Sequence, residues 1–123
     1  MKRKVTIVDR NTGRVLLASV RWCSSYLCKL VGFQLRWRVR PGEALILVGK
    51  KDSISKSSIH MFFVFTSLGV VWINQQGRVT HIQLARPWRP YYASPEPACY
   101  VLETSPEFLN KIKVGEDIDF IKN

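Results

Sequence analysis

Ile59-His60-Met61-Phe62-Phe63-Val64-Phe65, continuing through Val70-Val71-Trp72-Ile73 to Asn74-Gln75-Gln76-Gly77, is the longest apolar block of the chain. Apolar residues occupy both parities of a period-two pattern: Ile59, Met61, Phe63 and Phe65 on one side, Phe62 and Val64 on the other. A half-exposed strand alternates, so this pattern predicts a strand covered on both faces. β-branched and aromatic residues dominate it, which suits a pleated surface. The block is therefore expected to be a central strand, with the rest of the chain packed around it.

Outward from that block, hairpin signals recur. Lys4 to Val8 and Val15 to Val20 flank the turn Asn11-Thr12-Gly13-Arg14. Val70 to Ile73 and Arg78 to Leu84 flank a turn in which Gly77 supplies a positive φ. Ala44 to Val48, Ala98 to Glu103 and Asp117 to Ile121 read as further strands. Phe33 to Val39 alternates apolar with basic, which predicts a strand whose Trp37 is buried with Phe33 and Leu35; a helix is the competing reading. Ser24 or Ser25 is placed to cap a short helix through Leu30 and Val31 that stops at Gly32. Ser105-Pro106 opens a second helix, expected to end at Gly115. Gly49 to Ser58 is a Lys- and Ser-rich loop, and the prolines keep Arg86 to Tyr92 out of a sheet interior. The sum is an α+β domain, mainly β: a small barrel-like antiparallel or mixed sheet with one or two short helices. Residues 1–123 read as a single domain, without repeats or a linker.

The formal charge is +10, concentrated at the front, where Asp9 stands against ten Lys or Arg between Met1 and Arg40. Such a surface attracts nucleic acid or an acidic partner, or simply keeps the protein in solution. No apolar run approaches the roughly 20 residues of a membrane helix, and no signal peptide is legible. Three cysteines, Cys23, Cys28 and Cys99, cannot all pair within one chain, which fits a reducing compartment. The expectation is a cytoplasmic protein that does not engage a membrane.

The order of short motifs resembles the domain of unknown function family 192. The resemblance rests on Gly32-Phe33-Gln34-Leu35-Arg36, Pro41-Gly42-Glu43-Ala44-Leu45-Ile46-Leu47, Ser58-Ile59-His60-Met61-Phe62-Phe63, Val70-Val71-Trp72-Ile73, Gly77-Arg78-Val79, Pro87-Trp88-Arg89, Ala98-Cys99-Tyr100-Val101-Leu102-Glu103 and Val114-Gly115-Glu116-Asp117. It covers about Leu17 to Phe120. It implies a small β-rich, barrel-like α+β domain without a settled biochemical activity, and this chain resembles the short, unexported members. Relatives commonly carry an Asp within a Pro-Ile/Leu-Asp pattern after the central strand. Here that stretch is Ser67-Leu68-Gly69, and Asn74 stands where a second acid is often found. An acid-dependent activity shared with relatives is correspondingly less expected here.

Motif chemistry argues against an enzyme. His60 and His81 lie on expected strands, where a buried, hydrogen-bonded structural role is the commoner one. No Cys-x-x-Cys or His-x-x-x-His pair marks a zinc site, no P-loop or Gly-x-Ser-x-Gly elbow is present, and no cofactor or metal is expected. Cys99 is expected to pack as a small hydrophobe. The pattern that stands out is basic residues interleaved with aromatics: Arg21-Trp22, Arg36-Trp37-Arg38 and Arg86-Pro87-Trp88-Arg89-Pro90-Tyr91-Tyr92. Single strands of nucleic acid are held by this combination, cations on phosphates and rings on bases. A non-enzymatic binding or accessory protein is the leading reading. Single-stranded nucleic-acid binding through a basic–aromatic surface and an enzyme with a pocket around His60 are the alternatives. The candidate contact residues are Arg36, Arg38, His60, Arg86, Trp88, Arg89 and Tyr91.

Overall fold

The structure is a computed structural model that describes residues 3–25, 28–29, 32–34 and 37–123. Its strands are β1 (Lys4–Asp9), β2 (Val15–Cys23), β3 (Ala44–Ser53), β4 (Leu68–Ile73), β5 (Val79–Ala85), β6 (Ala98–Thr104) and β7 (Ile118–Lys122), with a 3-10 helix at Pro106–Lys111. They form one seven-stranded sheet in the order β5-β4-β6-β3-β2-β1-β7. All pairings are antiparallel except β2 with β3, so the sheet is mixed. The sheet curls until its outer strands meet. Val79 N–H donates to the Glu116 carbonyl (2.9 Å), Gly115 N–H to Val79 (2.8 Å) and Ile118 N–H to Gly77 (2.9 Å). The Arg78–Asp117 ion pair, 3.1 Å, lies over the same junction. These contacts pair the start of β5 with the lead-in to β7, which covers backbone that an open edge would expose. The architecture is a curled, barrel-like β-sheet with little helix.

Two apolar clusters fill the two faces. Inside the curl, Val5, Ile7, Val20, Ile46, Val71, Leu102 and Ile118 pack together, and Phe108 and Ile112 close one end. Outside it, Leu45, Val70, Trp72 and Val101 are roofed by Phe33, Val39, Ile59, Met61 and Val64. Every residue of β4 is buried, because its alternating side chains feed both clusters.

The strand covered on both faces is thus β4, and the expectation of a central strand at Ile59–Phe65 is corrected. Ile59 makes one isolated bridge to Tyr92, and the chain then turns, with Val64 N–H donating to Met61 (3.2 Å). Ile59, Met61 and Val64 are buried, while Phe62 and Phe63 face outward. Anchors at that spacing do not follow a period of two, so the run cannot sit as a pleated ribbon. The expected strand at Phe33–Val39 is also absent from its described residues. Trp37, predicted to be buried, is 76% exposed. Of the first expected helix, Tyr26, Leu27, Leu30 and Val31 lie outside the described residues. Cys28 and Lys29 are helical, and the Cys28 N–H donates to Ser25 Oγ (3.1 Å), as a cap should. The second helix is 3-10, ends at Lys111 rather than Gly115, and Ser105 makes no side-chain cap bond. Cys23 and Cys28 form a disulfide with Cα atoms 5.5 Å apart, whereas the cysteine count had suggested reduced thiols.

Candidate functional site: an aromatic shelf beside a buried carboxyl

Two chain segments that are far apart in sequence are laced together outside the sheet. Ile59 and Tyr92 exchange both backbone hydrogen bonds (2.9 Å each). Met61 N–H donates to Arg89 (2.8 Å), and Trp88 N–H donates to Met61 (2.8 Å). Tyr92 Oη accepts from Arg86 N–H (3.0 Å), closing the Pro-rich strap on itself. This lacing holds the turn at Phe62–Phe63 against the strap at Trp88.

The consequence is a row of rings on the surface. Trp37 stacks on Phe65 with centroids 4.4 Å apart and planes 12° from parallel. Phe65 meets Trp88 edge-on at 5.6 Å, and Trp88 meets Phe63 at 5.0 Å. Of this row Trp37, Phe63 and Trp88 are exposed and Phe65 is half-buried, while Phe62 on the turn and Tyr91 on the strap are exposed as well. Trp37 is largely uncovered, while Phe63 and Trp88 keep about half of their area in water; grouped, partly exposed rings are a feature of interaction surfaces. Phe63 and Trp88 have φ of 61° and 67°, the two non-glycine residues with positive φ among those described. For bulky side chains that region is strained, by roughly 1–3 kcal/mol each, and persists where surrounding contacts over-determine it. Both strained residues belong to the shelf and touch each other.

Of the candidate contact residues, Arg86, Trp88, Arg89 and Tyr91 come from the strap, and Arg38 follows Trp37 at the other end of the row; all are exposed. Arg36 lies outside the described residues. His60 was expected to be buried; it is exposed, and its Nδ1 accepts the Phe62 N–H at 3.2 Å, so it braces the turn. Trp22 does not join the group: it packs against Tyr100 and Phe120 in the barrel interior, with Arg3 over its ring at 4.8 Å. Between Asp52 and Glu96 the sequence holds no acid, so the strap and the turn carry only positive charge.

Beneath the roof lies a group the sequence did not single out. Glu103 points to the outer face, opposite Leu45 and Val70, and is buried. Burial pushes its carboxyl up to about 7, against a weaker downward pull from Arg21. Arg21 stands on the other side of Leu45, two strand spacings or about 9–10 Å away. Its buried Nε has no hydrogen-bond partner among the described residues. Gly32, at φ +49°, covers the carboxyl; a Cβ there would lie 3.5 Å from Oε1. The cleft shared by Glu103, His60, Lys29 and Phe33 measures about 90 Å³, against roughly 300–1,000 Å³ for ordinary ligand sites. An alternating Val-Leu-Glu-Thr strand end offers one clue to Glu103, but only the fold shows which face it takes. Among the described residues no group of three His, Cys, Asp or Glu is arranged to hold a metal ion.

Gly69, where the family resemblance leads to the expectation of an Asp, has its own geometry. A Cβ on Gly69 would fall 2.8 Å from Thr104 Oγ1 and 2.9 Å from the Ser105 carbonyl. β4 therefore approaches the end of β6 too closely for a carboxylate, and the site is packed shut.

Fold and surface define the class: a small curled β-sheet domain with an aromatic platform held outside its ladder. The family described as Uncharacterized ACR, COG1430 (DUF192), matches residues 7–120, and the chain belongs to it. A UPF0127 protein of Thermococcus gammatolerans is 31% identical over 110 residues, covering 89% of this chain and 70% of that protein. A UPF0127 protein of Pyrococcus abyssi is 30% identical over 112 residues, covering 84% and 92%. The fold is shared with a putative transcription regulator from Sinorhizobium meliloti 1021, at TM-score 0.81 and 19% identity, over 98% of this chain and 94% of the other. It is shared too with a protein of unknown function from Novosphingobium aromaticivorans DSM 12444, at TM-score 0.78 and 18% identity, over 94% and 83%. No helix among the described residues is long and apolar enough to cross a membrane.

Proposed function

We propose that this protein is a non-enzymatic binding module for single-stranded nucleic acid, and that the shelf is its contact surface. The observation that carries the reading is the ring row Trp37–Phe65–Trp88–Phe63, exposed at Trp37, Trp88 and Phe63 and built around two aromatics held at positive φ. Backbone strain at two half-exposed rings is not offset by full burial. Exposed rings can instead accept unpaired bases, each stack contributing about 1–3 kcal/mol with little sequence preference. Arg38, Arg86 and Arg89 lie next to the rings in sequence and supply cations for the phosphates. A duplex hides its base faces, so a double-stranded ligand would leave the rings unused.

The test is anisotropy of a labelled single-stranded RNA and a DNA oligonucleotide at several salt concentrations. Trp88→Ala should weaken binding roughly 5- to 150-fold, the equivalent of one lost stack. Arg89→Ala should weaken it and lower the log–log salt slope by about 0.7. A Trp88→Ala protein that binds as well as the parent, or binding that disappears at physiological salt, overturns the reading.

A further inference from the structure

On the other side of Ser58 from the shelf, the structure opens a cleft of about 450 Å³. Its apolar floor is the half-buried Leu47 over the buried Ala98 and Val101, and its rim carries Lys29, Lys50, Lys51 and Lys56 with Ser57 and Ser58. It exists because β3 leaves its ladder. Val48 pairs with Tyr100 and the next pair is Ser53 with Ala98, so β3 takes five residue steps where β6 takes two. The surplus residues bulge outward. Gly49 starts the bulge, where a Cβ would come within 2.8 Å of the Cys99 carbonyl. The Cys99 thiol donates to the Gly49 carbonyl (3.3 Å), and burial pushes that thiol up, so it serves as packing rather than as a nucleophile.

The charge arrangement is one-sided. Asp52 is the acid of the bulge; its Oδ1 accepts the Gln75 N–H (2.8 Å) of the β4–β5 turn, and its charge reaches the cleft only as a push on the Cys99 thiol, second to burial. The Gln75 side chain accepts the Asp52 N–H in return (3.3 Å). No carboxylate appears among the described residues of the lining. Each lysine is carried on anchored backbone. Lys50 and Lys51 sit on the tied bulge. Lys56 precedes Ser57, whose carbonyl accepts the buried Trp72 Nε1–H (2.8 Å). Lys29 lies on the helical turn that the Cys23–Cys28 disulfide fixes to β2. A concave site with one sign of charge over an apolar floor concentrates anions of the opposite sign. Its volume suits a nucleotide-sized molecule.

We propose that this cleft is a second binding site, for a small phosphate ester of nucleotide size: phosphates on the lysine rim, ring or apolar part on the Leu47–Ala98–Val101 floor. None of its residues belongs to the aromatic shelf, and the proposal stands apart from the nucleic-acid reading. Titration calorimetry with ATP and with inorganic pyrophosphate, at low salt and at about 0.15 M, tests it. Both probes should bind, ATP at least several-fold tighter because pyrophosphate leaves the floor empty. The doubly substituted Lys51→Glu, Lys56→Glu protein should lose at least tenfold in affinity, while Trp88→Ala leaves it unchanged. In the unsubstituted protein, the Ser57 and Ser58 amide NMR signals should shift on ATP addition. No binding of either probe at about 0.15 M salt, equal affinity for the two, no effect of the lysine substitutions, or a loss in Trp88→Ala as large as in the lysine variant would each overturn the assignment.

Discussion

The two faces of the sheet are built from the same strands and treated in opposite ways. Along β4 and β6 the inward residues Val71, Ile73 and Leu102 are apolar, fully buried and covered by ladder or helix, and the buried Thr104 at the end of β6 is satisfied by donating to the Gly69 carbonyl (3.2 Å). The outward residues include Val70, Trp72 and Val101, but also Glu103, with Arg21 farther along the same row. Their roof is irregular chain, pinned by a disulfide, a capped helical turn and the strap–turn lacing. The difference teaches a division of labour. A closed ladder already satisfies its own backbone, so its interior can be mostly hydrocarbon. A roof made of turns has no ladder to obey, so it can hold strained backbone, an ionisable group and rings turned to water.

That contrast is sharpest in stability. Leu102 is fully buried on the inner face, and Leu102→Ala should cost about 2–5 kcal/mol, lost transfer free energy plus the cavity left behind. Phe62→Ala removes a larger side chain from the roof and should stay within about 0.5 kcal/mol, as for surface changes generally. Urea denaturation of the two variants measures both. Equal losses would mean that the roof is as integral to the cooperative unit as the barrel interior.

Glu103 gives the next largest effect, and its sign is fixed by its elevated carboxyl. The folded protein holds that proton up to about pH 7, whereas the ordinary value is 4.5. Its contribution is fully present below the ordinary value and is lost as pH rises through the folded one, a swing of order 3 kcal/mol. Glu103→Gln should therefore match the parent near pH 4 and exceed it in stability near pH 8, with the slope between about pH 4.5 and 7 flattened. Denaturation midpoints across that range decide it. An unchanged slope would mean that the carboxylate ionises without cost and that the outer face is not dry at that point.

How much of this was legible beforehand differs between the faces too. Hairpins, the Gly77 turn, the Pro-rich strap and the mainly β, barrel-like class followed from local chemistry, because alternation and turn residues act over a few positions. The roof was not legible in this way. Ile59–Phe65 and Leu68–Ile73 are both dense in apolar residues, yet one turns outward and the other is buried on both faces. Nothing within either window says which will be paired, since pairing with β5 and β6 is decided by residues far off in sequence. Trp37 was misplaced by the same logic: alternation with Phe33 and Leu35 implies a common face only if the segment is a strand. The residue types of the shelf were visible as Arg–Trp clusters at Trp37 and Trp88, but their meeting through Phe65 was not, and Phe63 entered only with the fold. Glu103 and the lysine rim were hidden because a strand's face and a bulge's direction are tertiary facts.

The smallest effect is the most discriminating, because it separates the shelf's stability from its use. Phe63 is held at φ 61° with its ring half exposed, so its backbone strain is not offset by burial. Glycine occupies that region without a Cβ clash. Phe63→Gly should then leave the protein as stable as the parent or more stable by up to about 1 kcal/mol, the relieved strain set against lost contact with Trp88 and greater freedom in the unfolded chain. Binding of a single-stranded oligonucleotide should fall in the same variant, since one platform ring is gone and the turn that presents Trp88 is loosened. Gain in one measurement with loss in the other is the signature of strain kept for a contact the isolated chain does not make. If Phe63→Gly destabilises by 2 kcal/mol or more, on the scale of a core truncation, the ring belongs to the packing of the roof. The two faces would then differ only in regularity and not in purpose.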